Sequence, residues 1–400
     1  NSYSKTGQVF NLVTADGGVT WYGYEEVSNG SFEPFGMFSV GYNDRGRLGQ
    51  NNTINYSSPV QIPGTWVAVS NQLGPVDTVV QVQRKSDGTL WSWGRGDLYG
   101  SLGLSDTRIC SSPVQIPGTT WAIGASNEQC LWTKTDGTLW SWGRNDTYGQ
   151  LGLNDRAHRS SPTQVGSGTD WCTSHDSGIK LTTSKQYQAS GAIKTDGTLW
   201  VWGQNGQGQL GQGNIAYYSS PVQIPGTNWK SVSCVWSSMM ALKTNGELWA
   251  WGMNYNGVLG QNNRTIYSSP KQIPGTTWAS IVGGDGCAYA TKTDGTLWSW
   301  GYNEFGCLGQ NDVDVHRSSP VQIPGTTWNT STFGGGGGLA HVAAFTKTDG
   351  TLWSWGDNEY GILGQNTANN VQQSSPVQVP GTNWKRVTAF GESGVWLRST

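Results

Sequence analysis

The chain has few charged residues for its length. Lys and Arg account for 24 of the 400 residues and Asp and Glu for 26. The charged fraction of 12% is about half of the roughly 25% usual in globular proteins. The net charge is −2 and no block of Lys or Arg occurs, which argues against a nucleic-acid-binding protein. No apolar run reaches the roughly 18 residues needed to cross a bilayer, so we expect no membrane insertion.

Signals of metal, disulfide and catalytic sites are also sparse. The six cysteines contain no CxxC pair and lie at least 20 residues apart, which favours isolated thiols over disulfides or a metal site. His158 and His316 precede Ser-Ser-Pro in two different segments and are interpreted as polar loop residues. No Ser, His and Asp fall into a recognisable triad. We therefore expect no catalytic residue, no metal and no cofactor.

The chain is instead rich in Trp and Gly and contains a repeated motif. The chain has 23 Trp and 58 Gly. The stretch TDGTLWSWGRNDTYGQLG, which starts at Thr135, occurs in seven copies, the first a degraded one from Met37. Each copy is followed by SSPVQIPGTTW or a close variant. The WG step (VG in the first copy) returns every 49 to 60 residues, a period typical of propeller blades or solenoids. Of the 23 Trp, 19 belong to these blocks, which indicates blade-to-blade packing.

Each repeat is predicted to contain four short antiparallel strands. Residues 139–142 alternate along an extended chain, and Asp136-Gly137 before them is a two-residue hairpin signal. The proline-bounded PVQIP segment suits an edge strand. The Asn of GxNxxG, such as Asn145, is interpreted as a backbone cap. The Lys before the turn, such as Lys134, is interpreted as a solvated strand end. The fold class is thus all-β, a seven-bladed β-propeller.

The predicted propeller spans residues 1–400 as a single domain of seven repeats. We expect strands from both termini to close the ring in one shared blade. Either residues 9–14 or residues 19–24 are expected to pair with residues 395–398. An acidic insert at residues 24–36 interrupts the first repeat and is a candidate docking segment for another chain.

The pattern DGxLWxWGxNxxGQLG followed by a proline-containing strand resembles the repeat of the regulator of chromosome condensation family. The resemblance covers nearly the whole chain. It implies a propeller, and its known members include guanine-nucleotide exchange factors on chromatin, a plant ultraviolet receptor, secreted β-lactamase inhibitors and uncharacterised bacterial and phage proteins. The low-charge, near-identical units here are most similar to the bacterial and phage group. A propeller is a scaffold, so the resemblance specifies fold better than function.

Residues that break the repeat are the candidates for function. One variable segment joins the block Trp to the next Lys and is longest after Trp171. A second follows each LG step and keeps nearly constant length while its residues change, which suits a recognition surface. The candidate interaction residues from these segments and from the insert are Glu25, Glu26, Phe35, Tyr56, Arg108, His158, His175, Asp176, Lys180, Lys185, Tyr187, Tyr217, Tyr267 and His316.

The sequence therefore predicts a non-enzymatic binding or structural module that recognises protein or glycan through its loops. Low charge and richness in Gly, Asn, Ser, Thr and Trp favour an extracellular or virion-surface adhesin, with assembly into a larger particle as a further expectation. The alternative is a secreted or soluble inhibitor or regulator of a partner enzyme. No nucleic-acid partner is expected.

Overall fold

The structure is a computed structural model. It describes residues 10–12, 19–21, 35–41, 43–54, 56–67, 80–175, 178–184, 188–284, 286–330, 341–358, 363, 371–382, 384–390 and 394–398. Within these residues the chain forms 28 strands and no helix. In the same part of the chain, no segment qualifies as an apolar helix of membrane-spanning length.

Six sheets have three or more strands and form the blades of an all-β propeller. Two-stranded ladders lie near the chain ends. The first ladder contains β1 (Phe10–Leu12) and β2 (Val19–Trp21). Blade 1 contains β3 (Phe35–Gly41), β4 (Tyr56–Val67), β5 (Val80–Lys85), β6 (Leu90–Arg95) and β7 (Ile109–Ile116). Blade 2 contains β8 (Trp121–Ser126), β9 (Gln129–Lys134), β10 (Leu139–Gly143) and β11 (Arg159–Gln164).

The remaining blades repeat this order. Blade 3 contains β12 (Leu181–Thr183), β13 (Ala189–Ile193), β14 (Leu199–Gly203) and β15 (Tyr218–Gln223). Blade 4 contains β16 (Trp229–Val235), β17 (Ser238–Lys243), β18 (Leu248–Gly252) and β19 (Tyr267–Ile273). Blade 5 contains β20 (Trp278–Gly283), β21 (Cys287–Lys292), β22 (Leu297–Gly301) and β23 (Arg317–Ile323). Blade 6 contains β24 (Val342–Thr346), β25 (Leu352–Gly356) and β26 (Gln373–Val379), and the last ladder contains β27 (Trp384–Phe390) and β28 (Gly394–Arg398).

All pairings are antiparallel, and blades 2 to 5 have the predicted four strands. The first strands of these blades, β8, β12, β16 and β20, lie beside one another. The last strand of every blade contains proline, which confirms the predicted edge position there, whereas β4, which also contains proline, lies inside blade 1. An edge suits the last strand because proline has no N–H to donate to a further strand.

The tight turn between the second and third strands is built by its own side chains. In blade 2, Asp136 Oδ1 accepts hydrogen bonds from the backbone N–H of Thr138 at 3.0 Å and from its hydroxyl at 2.7 Å. That hydroxyl in turn accepts the indole N–H of Trp140 at 2.7 Å. Gly137 takes a φ of +79°, which a residue with a Cβ adopts at a cost. The predicted role of Asp136 as a turn residue is confirmed.

The predicted count of seven blades is wrong for the described residues, which form six. The reason lies in β4, a single strand of 12 residues that serves two repeats. It pairs with β3 along its length, from Tyr56 opposite Gly41 to Trp66 opposite Phe35, and its end also pairs with β5, where Trp66 lies opposite Lys85. The first two copies of the repeat therefore share one five-stranded sheet.

The predicted pairing of an N-terminal strand with residues 395–398 is not among the ladders of the described residues. β1 pairs with β2, Phe10 lying opposite Trp21, and β28 pairs with β27. The N-terminal segment that lies beside β28 is β3, which neither of the two candidate segments contains. In the described residues β1 and β2 pair with each other in a separate two-stranded ladder.

Each WG tryptophan joins two repeats. Trp142 is fully buried, and its indole N–H donates to the carbonyl of Ser101 in the preceding repeat at 3.0 Å. The same bond recurs at Trp93, Trp202, Trp251, Trp300 and Trp355. Gly103 lies directly under the indole of Trp142, where a Cβ would come within 2.8 Å of its nitrogen. The LG glycine thus leaves room for the tryptophan of the next repeat, as the blade-packing interpretation requires.

The Lys before each turn is not a solvated strand end. Lys134 Nζ lies 3.9 Å from the ring centroid of Trp140 and 5.0 Å from that of Trp121. The same arrangement occurs at Lys85, Lys194, Lys243, Lys292 and Lys347. An ammonium over an indole face is attracted by the ring quadrupole. The prediction failed because the two rings come from different strands, which only the folded sheet brings together.

Candidate interaction surface

Seven loops separate the third and fourth strands of the successive repeats, and we call them the variable loops. They are residues 42–55, 96–108, 144–158, 204–217, 253–266, 302–316 and 357–372, which follow the WG or VG step and precede Ser-Ser-Pro. In blades 2, 4 and 5 they share a face of the propeller with the turn between the first two strands. Arg144, for example, contacts Glu128 of that turn through both its backbone N–H and its guanidinium. We call this side the loop face.

A buried asparagine holds the variable loops of blades 2 to 5 in shape. In blade 2, Asn145 Oδ1 accepts the backbone N–H of Leu151 at 3.0 Å, and its Nδ2 donates to the carbonyls of Asp155 and Ala157. Asn205, Asn254 and Asn303 are likewise completely buried and bonded to their own loops. The predicted backbone-capping role is confirmed. These loops are therefore preorganised surfaces and not slack connections.

Two alternative side-chain pairs close the far end of the loop. In residues 144–158 the pair is Asp155 with Arg159, an ion pair. In residues 204–217 the pair is Asn214 with Tyr218, whose hydroxyl accepts a hydrogen bond from the amide at 3.1 Å. The loop of blade 5 uses Asp312 with Arg317, and that of blade 4 uses Asn263 with Tyr267. One of two side-chain pairs, Asp–Arg or Asn–Tyr, thus closes the loop at this position of the repeat, and we call the pair the lock.

The residue just before the Arg or Tyr of the lock lies on the loop face, and its type differs between repeats. With the Asp–Arg lock it is His158 or His316, whose Nδ1 accepts the backbone N–H of Asn145 at 2.9 Å or of Asn303 at 3.2 Å. An accepting Nδ1 carries no proton, so this geometry holds the neutral imidazole. Burial, together with the charge of Arg264, lowers the pKa of His316. With the Asn–Tyr lock the residue is Tyr217 or Ile266, both exposed.

Aromatic side chains from neighbouring repeats meet on the loop face. His158 packs against Tyr99 with ring centroids 5.0 Å apart, and Tyr217 packs edge-on against Tyr148 at 5.0 Å. These contacts bridge adjacent variable loops.

A larger aromatic group lies around blade 5. Tyr302 contacts Trp236 at 6.0 Å, His316 at 5.0 Å and His341 at 5.2 Å, and His341 stacks on Phe305 at 4.5 Å. Trp236 occupies the turn between β16 and β17 with a φ of +50°, a conformation that is rare for a bulky residue. It is one of the few Trp outside the repeated blocks, and that departure was the sequence signal for this group.

Exposed apolar side chains are confined to the variable loops. Ten large hydrophobic residues are exposed in the described part of the chain, and nine of them lie in these loops. Ile54 and Ile215 are 63% and 65% exposed, and Tyr255 is 56% exposed. The others are Leu98, Tyr217, Ile266, Val313, Val315 and Val371, and the tenth, Ile109, is the first residue of β7. An apolar surface concentrated on one face is typical of an interaction site.

The remaining candidate residues lie in different environments. Arg108 is exposed and pairs with Asp106 at 3.1 Å, and His175 accepts the backbone N–H of Lys180 through Nδ1. Lys180 itself is buried, and its Nζ donates to the carbonyl of Lys230 in the next blade at 2.6 Å, so it is not part of the exposed surface. Phe35 begins β3 and Tyr56 begins β4. Glu25, Glu26, Asp176, Lys185 and Tyr187 lie outside the described residues.

Cysteine chemistry and metal ligation do not contribute to this surface. All six cysteines are free thiols, in agreement with the expectation from their spacing, and five of them are buried. Among the residues that the structure describes, no three His, Cys, Asp or Glu side chains are grouped so as to hold a metal ion.

The blades, their inter-repeat tryptophans and the loop face define a repeat β-propeller whose variable elements are gathered on one side. The profile described as "Regulator of chromosome condensation (RCC1) repeat" matches residues 136–175, 196–242, 245–290, 294–337 and 349–391. A second profile of the same description matches residues 229–258. The matched repeats make up more than half of the chain, which therefore belongs to the regulator of chromosome condensation repeat family.

Solved structures show the same fold at low sequence identity. A chain in the crystal structure of Kap60 bound to yeast RCC1 (Prp20) is 18% identical, with a TM-score of 0.72 over 92% of this chain and 90% of that one. Prp20p from Saccharomyces cerevisiae, reported with its binding properties to Gsp1p and histones, is 18% identical, with a TM-score of 0.71 over 92% of both chains. Human WBSCR16 is 18% identical, with a TM-score of 0.71 over 91% of this chain and 99% of that one.

Proposed function

We propose that the chain is a non-enzymatic binding module that recognises a protein partner through the loop face. The observation that carries the proposal is the confinement of nine of the ten exposed large hydrophobic side chains to the variable loops. Exposed Ile and Tyr on a rigid frame provide the apolar and aromatic anchors on which protein interfaces depend. The protein partners of Prp20p agree with a protein ligand for this fold.

The rigidity of the loops supports this choice. A loop held by a buried amide such as Asn205 loses little conformational freedom on binding, so more of its contact energy is available for affinity. The variable loop at residues 204–217 contains no Lys, Arg, Asp or Glu, which suits the core of a protein interface, because such cores are depleted in charged residues. Adjacent loops carry different side chains on the same frame, so the surface can be specific for one partner.

A pull-down tests the proposal. Immobilised full-length chain is incubated with extract of the organism that encodes it, beside a variant carrying Ile215→Ser and Tyr217→Ser and a control carrying Thr276→Ala and Thr277→Ala. The control residues are exposed on the opposite face, beside the turn at Gly246. Both variants should keep the wild-type unfolding midpoint, because the altered side chains are exposed.

We expect at least one protein whose capture falls about tenfold or more with the loop-face variant and is unchanged with the control. A tenfold loss corresponds to about 1.4 kcal/mol, less than one well-packed aromatic anchor contributes. Equal capture by all three chains would contradict the proposal. A captured enzyme that loses activity in the complex would identify the module as an inhibitor or regulator.

The proposal has three further parts that the composition supports. Residues 1–400 form a single domain, which should show one cooperative unfolding transition. Residues 24–36 dock another chain, so deletion of residues 24–34, which spares β3, should leave the blades folded and lower the capture of a partner. The low charge and the richness in Gly, Asn, Ser and Thr favour an extracellular or virion-surface location, which fractionation with an antibody to the chain tests.

A further inference from the structure

A cleft of about 440 Å³ lies at the outer rim between blades 2 and 3. Its walls include Trp171, Lys194 and Trp200 on one side and Asn154, Gln164 and Ser220 around its mouth. Small-molecule sites typically enclose about 300–1,000 Å³ and combine apolar walls with a few polar groups. The cleft is separate from the exposed apolar residues of the loop face.

The cleft lies where the second sequence block departs from its pattern. After the edge strand, other repeats read Ile-Pro-Gly-Thr-Thr-Trp or a close variant, whereas here the segment is Val-Gly-Ser-Gly-Thr-Asp-Trp over residues 165–171. The loop is one residue longer and has lost the proline. Gly166 takes a φ of +63°, and a Cβ built on it meets nothing within 4 Å, because it borders open space. The departure therefore opens room between the blades.

Asp170, which replaces a Thr or Asn of the other repeats, changes the electrostatics. Its Oδ2 pairs with Lys194 Nζ at 3.0 Å. The ammonium lies 4.8 Å from the centroid of Trp200, whereas Lys134 lies only 3.9 Å from Trp140 in the neighbouring blade. The cation still lies over the indole of Trp200, but farther from the ring centroid than the matching cation in blade 2.

The polar groups of the cleft are close to neutral overall. The two cations at the cleft are each paired with a carboxylate, Lys194 with Asp170 and Arg159 with Asp155. The lining also includes the amides of Asn154 and Gln164 and the hydroxyl of Ser220. Because amides and hydroxyls both donate and accept hydrogen bonds, they favour a ligand that does the same.

We propose that this cleft binds a single neutral sugar unit of a glycan. A pyranose offers one face of C–H groups to the indole of Trp200 and a rim of hydroxyls, each both donor and acceptor, to Asn154, Gln164 and Ser220. A charged sugar would meet no unpaired counter-charge here, since both cations already have partners. The site adds a glycan subsite beside the protein-binding loop face; it shares Asn154 with the variable loop 144–158 but includes none of the exposed large hydrophobic residues.

The test is an array of neutral and acidic oligosaccharides probed with the full chain, followed by calorimetric titration of each hit. Ser220→Trp fills the mouth of the cleft. Its matched control is Ser319→Trp, at the same position of another repeat. The two hydroxyls make the same bond to the preceding repeat, Ser220 to Asn154 Oδ1 and Ser319 to Asn262 Oδ1, each at 3.3 Å.

We expect neutral oligosaccharides to bind, Ser220→Trp to weaken that binding at least tenfold, and Ser319→Trp to leave it unchanged. Asp170→Thr restores a residue of the other repeats. It should also weaken oligosaccharide binding, because Lys194, without its carboxylate partner, then moves closer to the ring centroid of Trp200. Absence of binding, selective binding of acidic glycans, or equal loss in both Trp variants would overturn the inference. None of these outcomes bears on the loop-face pull-down, so the two proposals fail independently.

Discussion

Trp142→Ala tests the inter-repeat packing directly. The indole of Trp142 is completely buried, lies 5.8 Å from that of Trp121, and donates to the Ser101 carbonyl of the preceding repeat at 3.0 Å. Truncating a buried tryptophan costs about 3–5 kcal/mol because of the cavity it leaves. Loss of the hydrogen bond adds about 1 kcal/mol. We expect the free energy of unfolding to fall by about 4–6 kcal/mol.

The assay is urea unfolding followed by circular dichroism. With an m-value of about 4 kcal/mol/M for a chain of this size, the midpoint should fall by roughly 1 M. The matched control is Trp140→Ala, two residues away on the same strand. Trp140 is only half-buried and bonds to Thr138 within its own turn, so its loss should cost about 1–2 kcal/mol.

Two results would refute this reasoning. An unchanged midpoint for Trp142→Ala would mean that the inter-repeat indole contributes nothing to the ring. An equal loss for both variants would mean that burial between repeats does not distinguish the two tryptophans.

Two further predictions concern titration and reactivity. Hydrogen bonds from the hydroxyl and the backbone N–H of Thr138 hold the pKa of Asp136 below its ordinary value. This carboxylate therefore stabilises the fold fully above the unfolded pKa, which is near 4, and its contribution is lost as the pH falls through the lower pKa of the folded state. Asp136→Asn should keep the turn, as Asn245 does in blade 4 by accepting the N–H of Glu247 at 3.1 Å, and should flatten the unfolding midpoint between pH 5 and pH 3 relative to wild type, whereas an identical pH profile would contradict the assignment. Burial raises the pKa of the Cys130 and Cys234 thiols to about 12, so neither should react with iodoacetamide in the native protein at pH 8, and mass spectrometry should find the half-buried Cys172 alkylated ahead of both. Equal labelling of the three would show that these blades open readily.

Contacts within one repeat were predictable from the sequence because both partners lie close together along the chain. The Asp136-Gly137 turn, the buried Asn145 and the proline-containing edge strand all depend on neighbours within the same repeat. Their spacing alone specifies the partners.

Features that join repeats were not predictable in the same way. The number of blades depends on β4, which pairs with β3 on one side and with β5 on the other, and seven copies of a motif do not reveal that two of them share a sheet. The aromatic group around Tyr302 combines side chains from three repeats, including Trp236 and His341. Only the exchange of Ile-Pro-Gly for Val-Gly-Ser-Gly at residues 165–168 marked the cleft in advance.

The pairing of an LG glycine with the following repeat's tryptophan gives every unit a polarity. Each unit carries a glycine that leaves space for the next tryptophan, as Gly103 does, and a tryptophan that packs on the preceding glycine, as Trp142 does. A whole unit gained or lost by duplication or deletion would still present a matching glycine and tryptophan to its new neighbours. Loss of part of a unit would instead leave a tryptophan without its matching glycine. Changes in chain length by complete repeats are therefore compatible with this packing, and the loops are free to diverge between them.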